Sequence, residues 1–220
     1  NYWVRVSHHY SHRGDGIPYI RRGAQSLPVS TKESLKQLEY TKGLSSFESE
    51  PLNGAIQVIT NSTPIIEFMF AIIPTAEPED WLRKQQLIVE NKPTVAGILL
   101  FADEPQALLP KRCGIKIYRY RTKERVGTRE VLAFDPITVE GHLYRQIRTA
   151  VETTIKIVQE TVRLGDKSIE DVIYPPETLH EIITNAVLHR DYSIADDIHI
   201  RVFDNRIEIQ SPGRLPAHVT

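Results

Sequence analysis

Glu181, Asn185 and His189 follow one another at four-residue steps in ETLHEIITNAVLHRDYS. Four-residue steps put side chains one above another on a single side of a helix. A carboxamide oxygen there is a hard ligand suited to Mg²⁺, which takes few protein ligands and keeps water and phosphate oxygens for the rest. A carboxylate one turn away can orient an attacking water or take its proton. The same spacing also describes an ordinary solvated helix side. Arg190 and Asp191, in HRDYS just past the helix, read either as residues that shape a nucleotide loop or as a helix-ending ion pair.

The elements around the stripe decide its meaning. Leu179, Ile182, Ile183, Ala186 and Val187 give the same helix an apolar side that needs a core. Tyr174-Pro175-Pro176 can open the helix, because a proline in the first turn forfeits no needed N–H. After it, IHIRVF and RIEIQ alternate on either side of Asp204-Asn205, which predicts a hairpin running into the break at Ser211-Pro212-Gly213. Before it, residues 141–164 space Leu143, Ile147, Ala150, Val151, Ile155, Val158 and Val162 as a long amphipathic helix.

Further upstream, IKIYRYRT alternates as a strand, and VAGILLF has the length and continuity of a buried one. IIEFMFAII predicts a buried helix and PEDWLRKQQLIVE a second helix. Near the start, YWVRV and PYIRRG read as strands flanking the loop SHHYSHRGDGIP. Ser30, with Glu33 at capping-box spacing, then opens a short helix. In SHHYSH, His8, His9 and His12 could meet a metal, but without Cys or acidic company a polar loop fits as well. The expectation is an α+β chain with mixed and antiparallel sheets, divided at 1–43, 44–140 and 141–220.

Composition bounds the remaining choices. At 40% hydrophobic and 25% charged, the 220 residues describe a folded chain, and a net charge of −1 provides no global field toward nucleic acid. One cysteine, Cys113, excludes an internal disulfide and suits a reducing compartment, so cytoplasm is expected. No apolar run reaches the length of a membrane span. NYWVRV lacks an initiator Met, and the chain stops just after SPGRLP, so it reads as a segment of a longer polypeptide.

The succession ETLHEIITNAVLHRDYS, IHIRVFDNRIEIQ, SPGRLP resembles the first half of a GHKL-type ATP-binding domain, in the branch of RecG-like or Schlafen-like AlbA-type proteins. The resemblance implies that Glu181 is the general base of a Mg-dependent ATPase and Asn185 the Mg²⁺ ligand. It also implies that ATP is the nucleotide and that Ser211 and Gly213 lie beside it. In gyrase-type and chaperone-type relatives an Asp at the turn contacts the adenine amino group. Here Ser211 offers a hydroxyl, an uncharged acceptor, and Gly213 permits close backbone approach. The glycine-rich lid of such domains falls after Thr220, so hydrolysis is expected of the full-length protein and not of this chain alone.

IPYIRRGAQSLPVSTKESLKQL resembles the end of an AlbA-type domain, and KPTVAGILLFADEPQALLPKR the connector that follows it in the same proteins. Arg21 and Arg22 near Tyr19, and Lys116, Arg119, Arg121, Lys123, Arg125 and Arg129 around Tyr118 and Tyr120, are candidate contacts to DNA or RNA. Charged edge strands that keep a sheet from aggregating would look the same. Three readings result. The first is an ATP-binding regulatory or defence-type protein acting on nucleic acid. The second is a non-catalytic nucleic-acid-binding transcriptional regulator on a degenerate GHKL-like scaffold. The third is a homo-oligomerisation module built on the helix at 141–164.

Overall fold

The computed structural model describes residues 18–22, 25–41, 44–109, 112–163 and 174–213. The chain divides into two compact units, Asn1–Glu50 and Pro51–Thr220. In the first, β1 (Tyr19–Arg22) and β2 (Gln25–Pro28) form an antiparallel hairpin with Ile20 opposite Leu27. α1 (Lys32–Thr41) follows, and Thr31 Oγ1 accepts from the Ser34 N–H at 3.1 Å. The cap therefore sits one residue beyond the Ser30–Glu33 box that spacing suggests. Tyr40 meets buried Phe47 edge-on, and both the Tyr40 hydroxyl and the Lys36 ammonium reach the Glu50 carboxylate. The YWVRV strand and His8, His9 and His12 lie outside the described residues.

The second unit opens with α2 (Gln57–Thr60), α3 (Thr63–Ile72) and α4 (Pro78–Lys84). The helix expected through residue 90 ends early, because Gln86, Glu90 and Asn91 all adopt positive φ. β3 (Ile88–Val89) and β4 (Lys92–Pro93) pair across Glu90-Asn91, whose φ values of 51° and 59° suit the tight turn that matches strand twist. VAGILLF, expected as a strand, is α5 (Val95–Phe101), capped by Thr94 Oγ1, which accepts from the Gly97 N–H at 3.2 Å. A short continuous apolar run carries no period of its own, so the Thr cap and burial on several sides decide for helix. α6 (Pro105–Leu108) completes this part.

Ile59, Ile65, Met69, Leu82, Ile98 and Phe101 form one core, lined by mutually tilted rings of Phe68, Trp81 and Phe101. α3 is not buried throughout, as its largely apolar text suggests: Phe70 is 78% exposed and Ile72 64%. Gly97 is where this core is tightest. A Cβ there would stand 2.7 Å from the Leu87 carbonyl oxygen and 3.1 Å from Ile59 Cδ1, and that same carbonyl receives the Thr94 N–H and hydroxyl. Gly97→Ala is expected to destabilise the protein by about 1–3 kcal/mol, read as a lowered Tm, because backbone must move.

A mixed sheet carries the rest. Its order is β6-β5-β7-β8, formed by β5 (Ile115–Arg119), β6 (Ile137–Val139), β7 (Ile198–Val202) and β8 (Ile207–Gln210). β5 runs parallel to β7 with Ile115 opposite Ile198, and the outer pairs are antiparallel. α7 (Leu143–Arg163) and α8 (Pro176–Leu188) pack on one face and on each other. Ile115, Ile117, Ile198, Ile200 and Val202 are buried beneath them. The fold is α+β, as expected, but the sheet draws strands from both sides of the division read at 140/141. Leu143, Ala150, Val151 and Ile157 of α7 are buried. Part of the amphipathic face behind the oligomerisation reading, Leu143, Ala150 and Val151, is thus used within the unit. Among the described residues, no helix is long and apolar enough to cross a membrane. Burial pushes the Cys113 thiol up to about 11, which leaves it protonated and unreactive near neutral pH.

Candidate functional site

α8 starts as its sequence directs, with Pro176 in the first turn. Leu179, Ile183 and Val187 are buried against the sheet side, so the opposite side is left to Glu181, Asn185 and His189, all exposed. The structure therefore keeps the carboxylate and the carboxamide one turn apart on one open helix side. Ile182, expected on the apolar side, is 45% exposed, and Leu188 is 59% exposed. These two apolar residues flank the polar stripe. Nothing in the helical period marks Leu188 out, because only the position of the sheet decides which arc of α8 is covered.

The helix end is held by side chains from two later segments. The last carbonyls of a helix lack partners within it. The Asn185 carbonyl accepts from the His189 N–H at 3.0 Å, Ala186 from the Ser211 hydroxyl at 2.8 Å, and Val187 from the Tyr192 hydroxyl at 2.9 Å. Ser211 is thereby brought to the residue next to Asn185. Its proton points at the Ala186 carbonyl, so what remains of the hydroxyl is an acceptor. The turn is pinned again by the Asp191 N–H, which donates to the Pro212 carbonyl at 2.8 Å. Gly213 adopts φ of +146°, where a side chain would be strained, and a Cβ there would meet Asp191 at 3.5 Å.

Arg190 and Asp191 do something neither sequence reading described. Arg190 is buried beside the Tyr192 ring, 4.6 Å from its centroid, and its Nη2 donates to the carbonyls of Arg112, Ile194 and Asp196. It clamps the loop to the start of β5 by carbonyl contacts instead of an ion pair with Asp191. Asp191 Oδ1 accepts from both the N–H and the hydroxyl of Ser193, closing a local turn. Tyr192, which sequence reasoning passed over, is the side chain that ties this loop to α8. Ser211→Ala removes one of the three carbonyl partners and is expected to cost about 1 kcal/mol in urea unfolding. Ser211→Asp, which sets a carboxylate against that carbonyl, should cost more.

The fold has a solved counterpart. It is similar to the crystal structure of the DIP2311 protein from Corynebacterium diphtheriae, with a TM-score of 0.54 and 16% identity over 93% of this chain and 34% of that one. At that identity the likeness concerns the fold alone, and this chain spans about a third of the length of that protein. No family model and no curated protein matches the sequence.

The expected nucleic-acid contacts separate in space. Arg119 ends β5 on the helix-covered side, 7% exposed, with its guanidinium on the Asp204 carboxylate and the carbonyls of Tyr120 and Val202. An arginine so committed has no free edge for phosphate, which corrects its place among the basic surface residues. Arg121 is exposed, with its N–H on the Val131 carbonyl at 2.8 Å. Arg21 and Arg22 lie in β1 opposite Ser26 and Gln25, and their side chains lie outside what is described. Among the described residues, no group of three or more His, Cys, Asp or Glu is placed to hold a metal ion.

Proposed function

We propose that this chain supplies the Mg-nucleotide half-site of an ATP-binding and ATP-hydrolysing regulatory or defence-type protein that couples nucleotide state to an activity on nucleic acid. The observation that supports it is the shared open side of Glu181 and Asn185, with the Ser211–Gly213 turn fastened at the same end of α8. The donor fits the ion: one neutral amide oxygen, that of Asn185, leaves most of a Mg²⁺ shell to water and phosphate, and the Glu181 carboxylate one turn away stays available to a water. When bound, Mg-ATP would supply an electrophilic γ-phosphorus, with the ion offsetting the negative charge of the phosphate oxygens. Asn185 would hold the ion through its amide oxygen. Glu181 orients the attacking water and takes its proton. Ser211, its own proton spent on Ala186, offers lone pairs to an amino group of the base. Gly213 keeps the backbone there free of a side chain.

Calorimetry of the full-length protein should show saturable ATP binding that disappears when Mg²⁺ is chelated. Absence of any heat of binding with Mg²⁺ present would sink the reading. One observation favours a second reading, a regulator on a degenerate scaffold: Ser211 already has a structural duty that needs no nucleotide. A DNA or RNA mobility shift that weakens with salt yet ignores ATP would favour that alternative.

A further inference from the structure

The sheet face turned away from α7 and α8 is not built like a plain solvated β surface. Alternation sends Lys116 and Tyr118 of β5 to this side, with His199 and Arg201 of β7. Lys116 lies opposite His199, and Tyr118 opposite Arg201. Past the strand ends the same side continues with Tyr120 and Phe203. The rings make a column. His199 tilts on Tyr118 at 5.7 Å, Tyr118 lies parallel to Tyr120 at 6.1 Å and 5°, and Tyr120 stacks on Phe203 at 5.1 Å.

The inner rings are sealed: the Arg206 guanidinium sits 3.8 Å above Phe203, and Gly127 lies directly against Tyr120. The outer rings, Tyr118 and His199, are half-buried, with 17% of the His199 side chain exposed. They are also fixed in place. The Tyr118 hydroxyl hydrogen-bonds His199 Nδ1 at 3.2 Å, and His199 Nε2 lies 3.3 Å from Asp196 Oδ1. Rings held this way lose little freedom when a flat partner stacks on them.

Charge on this face favours an anion. Its carboxylates are engaged, Glu208 by Arg206 at 2.6 Å and Asp197 by the Gly114 N–H at 3.1 Å and Lys116 at 3.8 Å. Arg201 hydrogen-bonds neutral groups, Gln210 at 2.9 Å and the Tyr120 hydroxyl, and its guanidinium stands 6.0 Å from the Tyr118 ring centroid, while Glu208 opposite it on β8 is taken by Arg206. The loop that follows β5 adds Arg121, Arg125 and Arg129 as exposed cations, against the two exposed carboxylates Glu124 and Glu130. On a chain of net charge −1 this is a local basic strip laid beside aromatic rings.

We propose that this face binds single-stranded nucleic acid, with bases stacking on Tyr118 and His199 and phosphates meeting Lys116, Arg201 and the loop arginines. Fixed rings beside a cationic track bind single strands, because unpaired bases expose their π faces. A duplex hides those faces within its base stack. The inference extends the nucleic-acid half of the function proposed above. It does not require nucleotide at α8, which packs on the opposite face.

Fluorescence anisotropy without ATP tests it, using labelled single-stranded DNA and RNA of about 20 nucleotides and a DNA duplex of the same sequence. The single strands are expected to bind in preference to the duplex. Tyr118→Ala should weaken them about tenfold and Tyr118→Phe little, as loss of one stacking ring implies. Arg201→Gln should reduce the salt slope by about 0.7, one phosphate contact fewer. This second variant decides the matter if Tyr118→Ala does not fold. Equal affinity for duplex, no binding of single strands, or an unchanged slope with Arg201→Gln each overturns the proposal. So does a dimer in light scattering that Tyr118→Ala abolishes, which would mean that the face belongs to a second copy. Single-strand binding that survives Asn185→Ala while ATP binding is lost shows the two sites failing separately.

Discussion

Glu181→Gln is expected to lower ATP turnover of the full-length protein by about 100-fold or more, while Mg-ATP affinity stays within about threefold. A glutamine keeps the shape and reach of the side chain but cannot take a proton. Glu181 is exposed and the helix beneath it rests on Leu179, Ile183 and Val187, so the fold does not depend on the carboxylate. Surface replacements of this kind usually change stability by less than about 0.5 kcal/mol. Phosphate release with saturating ATP measures the first quantity and calorimetry the second. Turnover equal to the unaltered protein would remove Glu181 from the role of base. A parallel loss of binding and turnover would make it a binding group.

Asn185→Ala is expected to weaken Mg-dependent ATP binding by at least about tenfold, the order found when groups that support a bound metal are removed. The substitution improves helix propensity. It also leaves the backbone contact from His189 N–H to the Asn185 carbonyl intact, so a fall in Tm is not expected. Asn185→Asp serves as the contrasting variant: it restores an oxygen ligand and should recover Mg²⁺ dependence in part. If both variants bind ATP as the unaltered protein does, with the same response to Mg²⁺, Asn185 is an ordinary solvated residue.

Much of the C-terminal half was legible because its elements carry opposite periods. The apolar residues of α7 and α8 recur at helical spacing, and those of β7 and β8 alternate about Asp204-Asn205, so neighbouring windows cannot be confused. The N-terminal part of the second unit was less so. VAGILLF is apolar without interruption and IIEFMFAII is broken only by Glu67, and such text states burial without stating conformation. One became a fully packed helix behind Thr94. The other left Phe70 and Ile72 in the open because its neighbours cover only the Ile65 and Met69 side. The sheet that joins strands from both sides of residue 140 was hidden for a related reason. A strand that alternates looks complete by itself, and nothing in IKIYR announces that its parallel partner is IHIRV.

The residues of the candidate site divide in the same way. The sequence by itself determined that Glu181 and Asn185 share one side of a helix, because a four-residue step is a local property of the backbone and α8 needs only its own period and Pro176 to exist. Only the tertiary structure decided that this side is the open one, since the covered arc is chosen by where the sheet lies. It also brought Ser211 to the end of α8 and gave its proton to the Ala186 carbonyl. Arg119 went inside to Asp204, while Tyr118 and Arg201 came together on the far face. These juxtapositions follow from the parallel pairing of β5 with β7, and pairing between strands so distant in the chain is fixed by packing energy summed over the whole core, which no window of sequence contains.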